Sequence, residues 1–402
     1  MADRQEPSPV AALLGLSLFL TGIAAAAATP YRAIIAIDEI GIDRALFGAT
    51  MTGGAIAGAI VSMALGAWAD RVQDRRPMAL VCALVAAVGY GMVWLVPSPA
   101  SLILSTAALM PFATATVSQT YAYSRAWYDD HRPGKGAQAM SRLRTTFSAA
   151  WIVMPPLAGW IAATTSVLDV YGIAALACLG TTASFFVLMT RPEGGTVKPA
   201  PMVGGVALAF PARRRVGVLG VLGLRVPILL QMMTVPLVLT HDLGASLGQV
   251  GINAAIAAAL EVPFMLAWGA LIPRLGLERI LGIAGVIFAA YLVLMSRVHS
   301  VPMAYALQVV NALGQSALLS ITISYMQETI RGRVGLSTAL MDGVTVSATL
   351  IASSLFGFWP TGGSYQPLLV VGGALSAMGA ATVWASRVRE DAGKARQTRG
   401  GK

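Results

Sequence analysis

Twelve apolar stretches, each long enough to cross a bilayer, dominate this 402-residue chain. A membrane-spanning helix needs about 20 apolar residues. Only 11% of the residues are charged, against about 25% in a typical soluble domain, so the chain cannot cover a water-facing surface. An open sheet edge is not tolerated in hydrocarbon, and the sequence therefore predicts an all-α membrane protein with twelve transmembrane helices. The predicted spans are residues 11–37, 45–69, 77–97, 101–126, 138–164, 167–190, 214–240, 246–273, 279–298, 301–327, 335–358 and 365–387.

Lysine and arginine are concentrated in alternate connecting segments. With a cytoplasmic N-terminus, 21 of these residues lie in cytoplasmic segments, two (Arg44 and Arg297) in outer loops and five inside the predicted spans. Cytoplasmic loops of membrane proteins carry the excess of positive charge, so we expect a multi-pass protein of the inner (plasma) membrane with both termini in the cytoplasm. Membrane topology thereby explains the net charge of +10 without a nucleic-acid partner.

The spans fall into two related sets of six. Residues 191–213 are rich in proline and glycine and have the composition of a cytoplasmic linker. We therefore expect an N-terminal six-helix bundle over 1–190, a C-terminal six-helix bundle over 214–387 and a basic cytoplasmic tail over 388–402.

The two halves also repeat each other in sequence. Residues 66–76, after the second span, share a glycine and two arginines with residues 269–279, after the eighth, at an offset of 203. At an offset of 198, residues 134–135 correspond to residues 332–333, between the fourth and fifth spans of each half. Matches at corresponding loops of both halves indicate two pseudo-symmetric bundles.

Several motifs carry a family resemblance. The loop after the second span resembles the signature of the major facilitator superfamily, although Gln73 or Asp74 replaces its second glycine. Other stretches are similar to the sugar efflux transporter family of that superfamily, over nearly the whole chain. The residues that carry the two resemblances are Gly66, Asp70-Arg71 and Arg75-Arg76; Leu143-Arg144, Ala150-Trp151 and Pro155-Pro156; Leu260-Glu261-Val262-Pro263 and Met265-Leu266; Gln308 to Asn311; and Arg331 to Gly335.

The resemblance implies a secondary active transporter that exports small sugars or glycosides by proton antiport, through alternating access of one central site. It implies no enzyme activity, no cofactor, and a monomer whose partners are a sugar-like solute, protons and the lipid bilayer. An exporter of drugs or amino-acid-like compounds is the alternative. A receptor or a membrane-embedded enzyme of the same architecture is a further alternative. The sequence gives little support for an enzyme, because its three histidines lie in loops and form no HExxH motif: His131, His241 and His299.

Glu261 is the clearest candidate for a functional ionisable group. An ionisable side chain in a bilayer costs roughly 2.5–3.5 kcal/mol on insertion scales. Glu261 lies midway along the eighth span, about 20 Å from either end, and burial of a carboxylate favours its protonated form. It therefore suits a proton carrier, and equally an acceptor of hydrogen bonds from sugar hydroxyls; a glutamate that only joins helices is the alternative. Asn253 lies within about 80° of the same helix face.

Three more ionisable groups within the spans are candidates for proton coupling or substrate binding. Asp342 lies seven residues into the eleventh span, and Arg144 lies at the matching depth of the fifth, at the offset of 198. Arg32 follows Pro30 near the outer end of the first span. For each of them the alternative is a structural contact between helices.

Amide and aromatic side chains within the spans are candidates for sugar binding, because amides bond hydroxyls and aromatic faces stack on sugar rings. Besides Asn253, these are Gln119, Tyr121, Trp151, Asn311, Gln315 and Tyr325. The signature loop predicts a cytoplasmic latch, for which the alternative is a topology signal and a turn. The latch candidates are Gly66, Asp70, Arg71, Arg75 and Arg125, with Arg125 and Asp70 expected in one charge cluster.

Overall fold

The computed structural model describes residues 8–69, 71–72, 74–132, 135–194, 212–329, 334–360 and 363–399. Within these residues the regular structure is helical throughout. The α-helices are α1 (Pro9–Ala28), α2 (Arg32–Ile34), α3 (Arg44–Ala69), α4 (Arg76–Leu95), α5 (Pro99–Leu104), α6 (Pro111–His131), α7 (Gly136–Thr164), α8 (Asp169–Thr190), α9 (Ala212–Leu237), α10 (Leu247–Leu275), α11 (Leu277–Met295), α12 (Val301–Thr329), α13 (Val334–Gly357) and α14 (Gln366–Arg399).

Twelve segments of the described chain are long and apolar enough to cross a membrane. Helices α1 and α2 belong to one continuous span, Pro9–Glu39, and α5 and α6 belong to another, Pro99–His131. Each remaining helix supplies one span. The all-α fold with twelve transmembrane helices is therefore confirmed. Helix α14 continues to Arg399, so the first residues of the predicted tail are helical, since the tail is rich in helix-forming Ala, Arg, Glu and Gln.

The internal repeat extends to the backbone geometry at the outer ends of the first and seventh predicted spans. Each of them ends in a π-helical turn, Ile35–Glu39 and Val238–Asp242, at an offset of 203. A glycine with positive φ follows each turn, Gly41 at 76° and Gly244 at 63°. The backbone hydrogen bonds correspond: Ile40 N to Ile35 O (2.9 Å) matches Leu243 N to Val238 O (3.1 Å), and Ile42 N to Ala36 O (3.0 Å) matches Ala245 N to Leu239 O (2.7 Å).

The helix contacts divide the chain into two compact units. The first comprises Met1–Ile42 and Gly53–Met202, and the second comprises Asp43–Thr52 and Val203–Lys402. In the first unit, α1 packs against α7 and α8, and α4 packs against α6 and α8. In the second, α9 packs against α13 and α14, α12 packs against α10 and α11, and α11 also packs against α14.

Glycine allows α9 and α14 to approach closely. A Cβ added at Gly379 would lie 2.7 Å from the backbone carbon of Gly223 and 2.7 Å from the nitrogen of Leu224. Small residues at such crossings let helix backbones touch, which is a principal source of helix association in a bilayer. The two helices form the most extensive packing of the second unit.

The first turns of α3 pack within the second unit. The ring of Phe47 meets that of Phe356 edge to face, with centroids 5.7 Å apart. A Cβ added at Gly357 would lie 3.1 Å from Ala45 Cα. These contacts explain why residues 43–52 group with α13 rather than with the rest of α3.

Candidate transport site

A chain of three polar side chains crosses the middle of the second unit. Glu261 lies at the centre of the 29-residue helix α10, and Gln315 lies at the centre of the 29-residue helix α12. The Nε2 atom of Gln315 donates a hydrogen bond of 2.8 Å to Glu261 Oε1. The Nε2 atom of Gln231, on α9, donates in turn to Gln315 Oε1. The carboxylate is thus linked to an amide of α12 and, through that amide, to a second amide on α9.

The chemistry of the three groups sets the order of this chain. An ionised carboxylate accepts hydrogen bonds only, whereas an amide both donates and accepts. Glu261 therefore directs the donor end of Gln315 towards itself, and the acceptor end of Gln315 faces the donor end of Gln231. Gln315 and Gln231 are 9% and 6% exposed, while Glu261 is partly exposed. Both amide side chains are therefore more buried than the glutamate at the end of the chain.

Two asparagines of the same unit carry unpaired oxygen atoms. Asn311, one turn before Gln315 on α12, donates from Nδ2 to Gln308 Oε1 at 2.7 Å, but its Oδ1 atom is buried without a hydrogen-bond partner among the described residues. The Oδ1 atom of Asn253 on α10 is in the same situation. A buried acceptor without a donor costs about 1–3 kcal/mol, so both oxygens are suited to a ligand hydroxyl or a water molecule.

In the first unit, Arg32 lies beside two buried tyrosines. Its charge acts on the hydroxyl groups of Tyr90 on α4 and Tyr171 on α8. The two rings meet edge to face, with centroids 5.6 Å apart. Arg32 Nε is buried without a hydrogen-bond partner within the described part of the chain. The first unit therefore holds a cationic group beside aromatic hydroxyls, and the second unit holds a carboxyl group bonded to one amide.

The other predicted ligands are distributed over both units. Gln119 on α6 is buried, and its Oε1 atom has no partner among the described residues. Tyr121, also on α6, is partly buried, and the charge of the exposed Arg144 on α7 acts on it. Trp151 is partly buried on α7, as is Asp342 on α13. Tyr325 is buried, with its hydroxyl against Gly217 of α9, which is a contact between helices.

The predicted latch is only partly described. Asp70 lies outside the described residues, Gly66 is partly exposed, Arg71 is exposed, and Arg75 precedes α4. Arg125 pairs with Asp129 of its own helix at 2.7 Å, and both side chains are about half exposed. The partner that the structure gives Arg125 is therefore a neighbour one helical turn away, and the expected cluster with Asp70 stays a prediction because Asp70 lies outside the described residues.

The neighbouring residues Asp74 and Arg76 form the buried contact of this loop. Arg76 Nη2 lies 2.8 Å from Asp74 Oδ2, and Arg76 Nη1 donates to the carbonyl oxygens of Leu188 (2.8 Å) and Arg191 (3.4 Å). Carbonyl groups at the C-terminus of a helix lack partners within the helix and attract cations. Arg76 thus caps α8.

Comparison with known proteins identifies the family of this chain. The Major Facilitator Superfamily matches it over residues 14–229 and 218–402. Sugar efflux transporter C of Escherichia coli (strain K12) is 30% identical over 369 residues, which cover 89% of this chain and 91% of that protein. The chain belongs to the sugar efflux transporter family of the major facilitator superfamily. Sugar efflux transporter A of Dickeya chrysanthemi is similar over a longer range, at 28% identity over 396 residues, or 96% of this chain and 98% of the relative.

Solved structures share the fold of this transporter. The nucleoside transporter NupG has a TM-score of 0.75 at 12% identity, over 94% of this chain and 99% of the NupG chain. The POT family transporter PepTSo has a TM-score of 0.76 at 9% identity, over 96% of this chain and 98% of its own. At these identities the likeness concerns the fold alone. Together with the family match, it makes this chain a multi-pass membrane transporter of a small molecule, and not an enzyme.

Sequence reasoning missed three residues of this transporter. Gln231 lies in an apolar span, where a single glutamine gives no sign of which helix it faces. Asp74 and Arg76 lie in the signature loop, but adjacent arginines do not reveal which of them is buried. One signal was available for Gln231. Burying a polar group in hydrocarbon costs free energy, so a glutamine within an apolar span predicts a hydrogen-bond partner on another helix.

Proposed function

We propose that this transporter exports small sugars or glycosides by proton antiport, through alternating access of a central site to the two sides of the inner membrane. The observation that carries the proposal is the hydrogen-bond chain from Gln231 through Gln315 to Glu261 at the centre of three packed helices. The relatives named as sugar efflux transporters support the substrate class. The protein acts as a monomer with both termini in the cytoplasm.

Glu261 is the site at which proton and sugar compete. When it is ionised, its oxygens accept hydrogen bonds from sugar hydroxyls, and bonds to a charged acceptor are roughly twice as strong as neutral ones. When it is protonated, one oxygen becomes a donor and the charge is lost, so the sugar is released. If the central site changes its accessible side only when Glu261 carries a proton or binds a sugar, the transporter exchanges protons for sugar across the membrane.

The unpaired asparagine oxygens support a polyhydroxylated substrate. Asn253 Oδ1 and Asn311 Oδ1 are buried acceptors without donors in the described chain, and Asn311 shares a helix face with Gln315. Sugar hydroxyls supply the missing donors. A lipophilic drug has few such groups and would leave these oxygens unpaired, which disfavours drugs as substrates of this site.

A contact at the start of α3 supports alternating access. The guanidinium group of Arg44 lies 4.3 Å from the ring centroid of Tyr365 and donates to Pro360 O at 2.9 Å. The positive-inside distribution assigns this end of α3 to the outer face. We propose that this contact, which holds the start of α3 within the second unit, opens during the transport cycle.

The proposed function is tested with purified protein in proteoliposomes. We expect Glu261→Gln to abolish sugar movement driven by a pH gradient, because the neutral amide neither gains nor loses a proton. Glu278→Gln, the same chemical change on α11, is the matched control and should retain transport. Full pH-driven transport by Glu261→Gln at normal expression would contradict the proton role of Glu261. Thermal shift with sugars and with lipophilic drugs separates the two substrate classes, since ligand binding raises the apparent stability.

A further inference from the structure

We infer that Gln231 is a positioning residue that sets the proton affinity of Glu261 without contacting it, by holding the Gln315 amide in one orientation. The inference rests on the proposed function, because it concerns the proton site named there. Its basis is the geometry of the three side chains, which come from α9, α10 and α12.

The orientation of Gln315 determines which form of Glu261 is favoured. In the structure, Nε2 of Gln315 points to Glu261 Oε1 at 2.8 Å, which stabilises the ionised carboxylate. If the amide turned over, its oxygen would face the carboxylate, which repels the ionised form and accepts a hydrogen bond from the protonated form. The amide orientation therefore couples directly to the protonation of Glu261.

Gln231 stabilises the orientation that favours the ionised form. Its Nε2 atom donates to Gln315 Oε1, and an amide oxygen as buried as this one requires a donor. Turning Gln315 over would bring two amide donors together and leave the oxygen without its partner. Aligned hydrogen bonds also polarise one another, so Gln231 strengthens the bond that Gln315 makes to Glu261.

No other described group contacts the Glu261 side chain by a hydrogen bond or ion pair, so Gln315 is the direct link to it. The structure describes the following titratable and charged side chains, besides Glu261, on α9, on α10 and on the elements packed against α10: Tyr305, Tyr325 and Glu328 of α12; Glu278, Arg279 and Tyr291 of α11; His241 and Asp242 of the π-turn; Arg215 and Arg225 of α9; and Arg274 of α10.

The test is the pH profile of transport by Gln231→Leu in proteoliposomes. Leucine has nearly the volume of glutamine but offers no donor, so we expect the midpoint of the acidic limb to move to higher pH by about one unit, which is a tenfold change in proton affinity. Thr234→Val is the matched control, because Thr234 is buried one turn further along α9 and donates to its own helix at Leu230 O. Its profile should coincide with that of the unmodified protein.

Two further variants keep the test decisive. Gln231→Asn retains an amide on a shorter side chain, so it should shift the midpoint in the same direction by a smaller amount, and it replaces Gln231→Leu if the latter fails to fold. In sugar-induced thermal shifts, the double variant Gln231→Leu with Glu261→Gln should have the same pH dependence as Glu261→Gln alone, because both lack the titrating carboxyl group. An unshifted profile in both folded Gln231 variants overturns the inference while leaving the proposed function intact. Retention of normal pH-driven transport by Glu261→Gln overturns the proposed function itself.

Discussion

Arg76 and Asp74 form an ion pair at the start of α4, with Nη2 and Oδ2 2.8 Å apart and side chains only 10% and 24% exposed. Arg76 also reaches the carbonyl groups at the end of α8. Two further side chains hold the residues beyond that helix, because Tyr123 donates to Gly194 O at 2.8 Å and Trp127 donates to Glu193 O at 3.0 Å. The signature loop thus stabilises the junction between α4, α6 and α8 of the first unit.

Removing Arg76 should destabilise the transporter. Arg76→Ala leaves the partly buried Asp74 without its partner and removes the cap of α8, and breaking a buried ion pair costs about 3 kcal/mol. The measurement is thermal unfolding of the purified protein in detergent. Arg75→Ala removes the adjacent charge, for which the structure gives no ion pair among the described residues. Equal losses of stability in the two variants would contradict the role assigned to Arg76.

Replacing Asn253 should separate ligand binding from stability. Asn253→Leu removes a buried oxygen that has no donor in the described chain, so the apparent stability without ligand should stay the same or rise by about 1 kcal/mol. The sugar-induced thermal shift should fall, because a hydroxyl loses its acceptor. Thermal unfolding with and without sugar measures both effects. An undiminished sugar-induced shift would exclude Asn253 from the site.

A cross-link at the start of α3 should stop transport. A Cβ at Gly357 would lie 3.1 Å from Ala45 Cα, so the two backbones approach closely enough for Ala45→Cys with Gly357→Cys to serve as a disulfide pair. The experiment starts from a protein in which the native Cys82 and Cys178 are replaced by serine. We expect oxidation to block transport and a reducing agent to restore it, while each single cysteine variant is unaffected by the oxidant. Transport by the fully cross-linked protein would show that this contact need not open.

Enlarging Gly379 should disturb the packing of α9 against α14. A methyl group there would lie 2.7 Å from backbone atoms of α9, so Gly379→Ala forces the helices apart and should lower the free energy of unfolding by about 1–3 kcal/mol. Gly343 on α13 is the matched control, since a Cβ at that position meets nothing within 4 Å. Gly343→Ala should be neutral or stabilising by up to about 1 kcal/mol. Thermal unfolding of both variants in the same detergent measures the two effects. An unchanged stability of Gly379→Ala would contradict the close approach of α9 and α14.

Local features of the chain were predictable because they depend on nearby residues. The span-forming helices follow from runs of apolar residues, and the repeat at an offset of 203 reappears in the two π-helical turns. The turns themselves were not predicted, since a π-helical turn only lengthens the span of its backbone hydrogen bonds from four residues to five and lies within a continuous helical segment. Gly41 and Gly244, which end them, were the available signal.

The partners of polar side chains were less predictable. Glu261 and Gln315 were both expected in the site from their positions in apolar spans, but nothing in the sequence indicated that they bond to each other. Arg125 was expected near Asp70, which lies outside the described residues. Its ion pair with Asp129 was not predicted, although a partner one turn away on the same helix requires no approach of a second segment.

By itself, the sequence determined the twelve spans and the family, and its repeats predicted the division of the spans into two sets. These properties depend on hydropathy, charge distribution and short motifs, all of which are visible in the linear order of the residues. The tertiary structure alone decided that Gln231 reaches Glu261 through Gln315, and that Arg76 rather than Arg75 caps α8. Both contacts join residues far apart in sequence, and their geometry depends on the rotation and crossing of packed helices, which a one-dimensional pattern does not specify.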